Sequence, residues 1–97
     1  MADEIRFEWD ARKALANERK HGIAFALATL VFEDKFADRK IEGDDHGEIR
    51  WQALGQVGRT LIRVSFTTRD EEGVEVVRII SARKATRSER RDYEGDS

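Results

Sequence analysis

The sequence predicts an α+β domain in which two N-terminal helices pack on an antiparallel sheet and a short helix follows at the C-terminus. Three observations predict it: a helix-period segment with its own start and stop signals near the N-terminus, period-two alternation from about residue 35 onward, and a capping sequence after the last apolar strand. The 97 residues are read as one domain, 1–97, because two cores of half this size would each be too small to hold.

The elements follow in chain order. Ile5, Phe7 and Trp9 alternate with Arg6 and Glu8, the period of a half-buried strand. Asp10 is placed as the N-cap of a helix running to about His21, and Gly22 as its left-handed stop; Ala11, Ala14 and Leu15 form the apolar face. "IAFALATLVF", Ile23 to Phe32, predicts a second, largely buried helix over Ala24–Phe32. It is far shorter than the roughly 20 residues that span a bilayer. The acidic start "MADEIRFEWD" lacks the features of a secretory signal, so the expected location is cytoplasmic, with no membrane association.

From residue 35 the pattern changes. "KFADRKI" is expected as an edge strand, "EGDDHGE" as a surface loop, and "IRWQAL" as a strand with Ile49, Trp51 and Ala53 on one side. After a "GQVGR" turn, "TLIRVSFTT" sets Ile62, Val64 and Phe66 against Arg63, Ser65 and Thr67. After a "RDEEG" turn, "VEVVRIISA" is apolar on both faces, as a central strand requires. Thr86 and Glu89 form a capping box for a helix ending near Tyr93. With the helices on one face, the other is expected to be open and polar, presenting Arg50, Gln52, Arg63, Ser65 and Thr67.

Charge is unevenly placed in a chain of net charge −2. Residues 1–48 carry 8 Lys/Arg and 12 Asp/Glu (8 − 12 = −4), and residues 49–97 carry 10 and 8 (10 − 8 = +2). Arg78, Arg83, Lys84, Arg87, Arg90 and Arg91 account for the basic end. Arg87, Arg90 and Arg91 share a helical face and repel one another, so local stability does not explain them. Arg78 shares a strand row with Val76 and Ile80 and has to meet a carboxylate or a cleft. Such a cluster suits a polyanion; the plainer reading is a solvated face paired internally with Glu89, Asp92 or Glu94. Lys20 and His21 sit in the last turn of the first helix, where exposed carbonyls favour cations, and a His beside a Lys can also move protons while holding a phosphate.

Several classes are excluded or unsupported. Without cysteine there is no disulfide framework, thiolate metal site or thiol nucleophile. Asp44, Asp45, His46 and Glu48 read as a solvated turn, with no second His or Cys to complete a transition-metal site, so no metal and no cofactor is expected. There is no phosphate-cradling glycine motif, no H-E-x-x-H and no serine nucleophile signature.

Two blocks, "FEWDARKALANERKHGIAF" and "RIISARKATRSERRDYE", resemble the signature segments of the BrnT family of type II toxin–antitoxin toxins. The family pattern is met by Phe7, Trp9, Asp10, Lys20, His21, Gly22 and Phe25, then by Arg78 through Arg83, Ala85, Thr86, Glu89, Arg90 and Tyr93. It departs at Ala24, where relatives carry a polar cap, and residues 33–60 match only in outline. The resemblance implies a RelE-like fold and a metal-independent ribonuclease that arrests translation. It also implies neutralisation by a BrnA-like ribbon-helix-helix antitoxin, through which alone the toxin meets operator DNA. On that basis Lys20, His21 and Arg83 are expected as catalytic residues and Arg78, Arg63, Arg87 and Tyr93 as RNA-binding ones. Two other readings stand beside it: a non-catalytic module that acts with an antitoxin in autoregulation, and a poison of a different target, as in the ParE branch.

Overall fold

The computed structural model describes residues 4–95. Strand β1 (Glu4–Glu8) leads into helix α1 (Ala11–His21) and a one-turn helix α2 (Phe25–Ala28) that continues as a 3-10 segment, Thr29–Glu33. Four strands follow, β2 (Asp38–Asp45), β3 (Glu48–Val57), β4 (Thr60–Glu71) and β5 (Val74–Lys84), then helix α3 (Arg87–Glu94). They form one five-stranded sheet in the order β1-β5-β4-β3-β2.

The α+β class therefore holds, but the expected layout of two N-terminal helices on an antiparallel sheet, RelE-like, does not match. The chain enters through a strand, and β1 runs parallel to β5 with Glu4 opposite Val74 and Glu8 opposite Arg78, which makes the sheet mixed. The expected second helix is a single α turn that tightens into 3-10 geometry. Ala24 offers it no side-chain cap, and Thr29 Oγ1 donates back to the Ala26 carbonyl at 2.7 Å, drawing off a helix acceptor.

The local signals at α1 act as read. Asp10 accepts from the backbone N–H groups of Arg12 and Lys13, and Gly22, at φ 75°, closes the helix with a bond to the Glu18 carbonyl. The polar stretch expected as a loop at residues 42–48 is instead the tip of a hairpin. Its arms extend to Asp45 and from Glu48, joined by His46 and Gly47, both left-handed (φ 55° and 83°), a turn whose twist matches the strands. Charged residues are tolerated there because β2 is an edge strand with solvent along one side.

Ile23, Phe25, Ala28 and Val31 pack onto Ala53, Ile62, Val64, Phe66, Val77, Ile79 and Ala82 of the sheet, with Phe7, Trp9, Phe32 and Trp51 at the margin. Phe32 links Phe7 and Phe66 through tilted and edge-on contacts at 5.2 and 5.1 Å between centroids. The close approach is at Gly55: a Cβ there would lie 2.8 Å from Val31 Cγ1 and 3.0 Å from the Val31 carbonyl oxygen. Glycine thus lets the 3-10 segment sit on strand β3.

The opposite face is less open than alternation alone implies. Leu54 and Leu61 project to it yet are buried, because α3 lies over that end. Tyr93 donates its hydroxyl to Asp34, tying the end of α3 to the chain that follows the 3-10 segment. That bond and burial push the phenol up to about 12.

Candidate functional site

Strand register assembles the site. On the face away from the main core, Arg63 stands opposite Arg83 and Ser65 opposite Ser81 across β4 and β5. Two guanidinium groups side by side need counter-charge, and α3 supplies it. Glu89, the third helical residue of the capping box begun by Thr86, takes a two-pronged bond from Arg83 (Nη1 to Oε1 2.8 Å, Nη2 to Oε2 2.9 Å) while accepting from the Thr86 backbone N–H at 2.9 Å. Arg63 Nε lies 3.8 Å from Glu89 Oε2. The Arg83 bond is the main reason the Glu89 carboxyl falls to about 2, against the opposing effect of burial. Burial, and then the charge of Arg83, lower the pKa of Arg63, while Glu89 works the other way. On its second side Arg63 pairs with Glu42 of β2. Beside this cluster runs a shallow groove of about 530 Å³ lined by Glu42, Gly43, Asp44, Arg50, Arg63, Ser65 and Ser81.

Arg78 belongs elsewhere on the same face. Its Nη1 donates to Glu8 Oε2 at 3.2 Å, and Arg69 grips both oxygens of that carboxylate at 2.9 and 3.0 Å. Arg69 first, then Arg78, hold Glu8 at about 2, against burial. Arg6 and Glu71 extend the lattice, with Val76 buried beneath. Five residues of strand put Arg78 roughly 16 Å from Arg83. Arg87 is exposed in the first turn of α3, and Tyr93 is held at Asp34.

Lys20 is exposed and His21 half-buried at the end of α1. Among the described residues, no hydrogen bond or ion pair joins either to Arg63 or Arg83. What docks α1 on the edge of β5 is Asn17, a residue that sequence reasoning passed over. β1 pairs with β5 only as far as Arg78, so the outer edge of β5 beyond it lacks a strand. The buried Asn17 side chain takes the strand's place: Nδ2 donates to the Ala82 carbonyl at 2.8 Å and to the Ile23 carbonyl at 3.0 Å, and Oδ1 accepts from the Ala82 N–H at 3.1 Å. His21, four residues on, shares that helical face. The end of α1 is thereby docked beside Ala82, the neighbour of Arg83. An Asn in mid-helix, where its side chain competes with the backbone, was the available signal.

Glu42 was also missed, because it stood in the stretch read as a loop. A bulge in β2, where Ile41 faces Trp51 and Gly43 faces Arg50, makes Glu42 the extra residue and re-aims its side chain.

The family model for "Ribonuclease toxin, BrnT, of type II toxin-antitoxin system" matches residues 9–89, from Trp9 through Glu89. The chain belongs to the BrnT family. The match contains α1 with Lys20 and His21, the whole of β2 to β5, and the first turn of α3 with Glu89, and so every group of the arginine cluster. BrnT proteins are ribonuclease toxins, and a type II system implies an antitoxin as partner. No curated protein matches the chain. Among the described residues, no helix is long and apolar enough to cross a membrane.

Proposed function

We propose that this BrnT-family chain is an endoribonuclease that cleaves RNA without a metal ion, arrests translation in the cytoplasm, and is neutralised by a BrnA-like ribbon-helix-helix antitoxin that alone contacts operator DNA. The observation that carries the reading is the apposition of Arg63 and Arg83 beside a groove that also contains two serine hydroxyls. Planar guanidinium forks suit the oxygens of a phosphodiester and the charge that builds on phosphorus in the transition state.

In such a cleavage the ribose 2′-oxygen loses its proton to a base and bonds to phosphorus, while the bond from phosphorus to the 5′-oxygen breaks and that oxygen takes a proton from an acid. The products are a cyclic phosphate and a free 5′-hydroxyl. Arg83, with Arg63, is assigned to the phosphoryl oxygens, and Lys20 and His21 to proton transfer from the docked end of α1. Arg78 and Arg87 are assigned to flanking phosphates of an extended strand, and Tyr93 to the same surface through its ring.

A second reading is favoured by one fact: the Arg83 fork is already filled by Glu89, as in a residue whose work is to hold α3 in place. The chain is then a binding module for its antitoxin. Expression in bacteria of wild type and of Arg83→Ala, with folding of both checked by circular dichroism, separates the two. The enzyme reading requires growth arrest and degraded transcripts from wild type, relieved by the substitution and by co-expressed antitoxin. No arrest from either protein refutes it in favour of the module, and arrest with intact transcripts points to a different target.

A further inference from the structure

Glu42 is held in an unusual way. From the bulge on edge strand β2 its side chain crosses the neighbouring strand β3 and reaches β4. There Ser65 Oγ donates to both carboxylate oxygens, at 3.1 and 3.0 Å, and Arg63 Nη2 pairs with the same carboxylate. We propose that Arg63 and Ser65, with Ser81 at the margin, form a phosphate-binding seat, and that Glu42 is an internal anion occupying it, which an incoming phosphate group displaces. The proposal deepens the reading of this groove as the place where RNA phosphate binds.

Three features support the exchange. The first is shape: a guanidinium N–H and a hydroxyl converging on two oxygens of one carboxylate present the donors that two non-bridging phosphate oxygens require. The second is charge. Arg63, Arg83, Glu42 and Glu89 sum to zero, so removing Glu42 leaves one positive charge that a phosphodiester restores. The third is attachment, which distinguishes the two carboxylates. Glu89 is fixed by the capping box of its own helix. Glu42 has no opposite residue in the ladder and comes from an exposed edge strand, so its side chain can swing into solvent without breaking a backbone bond.

The test is a titration of isotope-labelled full-length protein with inorganic phosphate, followed by amide and arginine side-chain NMR. Wild type is expected to bind weakly, with shifts centred on Arg63, Ser65 and Ser81. Glu42→Gln is expected to tighten binding about tenfold, the order of one charge-assisted contact. Glu42→Asp, which keeps the charge but is too short to cross β3, is expected to tighten it as well. Ser65→Ala in the Glu42→Gln background reverses the gain, and Glu33→Gln, which removes the same charge on the helix-bearing side, leaves affinity unchanged. Unchanged or weaker binding in both Glu42 variants, an equal gain from Glu33→Gln, or shifts away from the groove overturns the proposal. On RNA, Glu42→Gln is expected to lower KM and keep kcat; a hundredfold loss of kcat without tighter phosphate binding makes Glu42 a general base instead. Because the phosphate titration needs no cleavage, an inactive protein that gives the expected phosphate result refutes the ribonuclease reading alone.

Discussion

Replacing Asn17 with Ala is the most direct test of how α1 is held on the edge of β5. The substitution deletes three hydrogen bonds and leaves the Ala82 N–H, the Ala82 carbonyl and the Ile23 carbonyl facing a side chain that cannot answer them. Net contributions of about 1 kcal/mol per bond give a loss of about 3 kcal/mol, with more where a buried group finds no water. For a chain of this size each kcal/mol moves the melting temperature by about 4–8 °C, so a fall of about 12–24 °C is expected. Urea unfolding with an unchanged slope should return the same free-energy difference. Asn17→Asp adds a second arm: it keeps the acceptor for Ala82 N–H but turns carboxylate lone pairs toward two carbonyls, so it should destabilise at least as much at neutral pH. Protonation restores a donor, so that variant should regain stability as pH falls, against the trend of the wild type. A loss below about 1 kcal/mol for Asn17→Ala, or an Asp variant indistinguishable from wild type, refutes the argument that this side chain substitutes for a strand.

Tyr93 is the only tyrosine, so its ionisation can be read alone from tyrosinate absorbance, with a midpoint expected near 12 rather than 10. A phenol whose folded pKa is raised contributes stability that is full below 10 and lost as pH climbs toward 12, and Tyr93→Phe should remove that contribution, about 1.5–3 kcal/mol for a bond to a charged acceptor, measured by thermal melting at neutral pH. Glu89 and Glu8, both near 2 in the folded protein against an ordinary 4.5, contribute stability that is full above 4.5 and lost as pH falls toward 2; Glu89→Gln should lower stability at neutral pH and flatten this acid dependence in melts across the range. Gly55→Ala should destabilise by about 1–3 kcal/mol in urea unfolding, because its Cβ meets the Val31 carbonyl as well as a methyl group; Val31→Ala should restore part of the loss.

What was legible in the sequence was local. The Asp10 cap, the Gly22 stop and the Thr86–Glu89 box are each fixed by backbone groups within four residues, and each appears where the sequence placed it. Pairing of the basic cluster with Glu89, Asp92 or Glu94 was readable as one alternative, and the structure pairs Arg83 with Glu89. The rest depended on partners far along the chain. Alternation in Ile5–Trp9 identifies a strand but not that its neighbour is β5, nor that the two run parallel. A single extra residue in each of two strands, Glu42 in β2 and Ile80 in β5, breaks the period-two count. That is why Arg78 falls on the same face as Ser81 and Arg83 despite the odd spacing between them, and why Glu42 could not be placed from composition. The pairing of Arg63 with Arg83 needs the full register of two strands, which no local pattern contains. The partners of Asn17 were out of reach for a related reason: they include backbone atoms of Ala82 at an edge that exists only because β1 is short.

The parallel pairing of β1 with β5 sets a timetable for biosynthesis. Glu4 meets Val74, so this strand must wait for some 70 further residues to leave the ribosome, several seconds at ordinary elongation rates. Arg83 and Glu89 arrive later still, in the segment translated after β1's partner has begun to emerge. A nascent chain therefore lacks the apposition of Arg63 with Arg83, and that part of the toxin's cationic surface comes into being only after β5 has been translated.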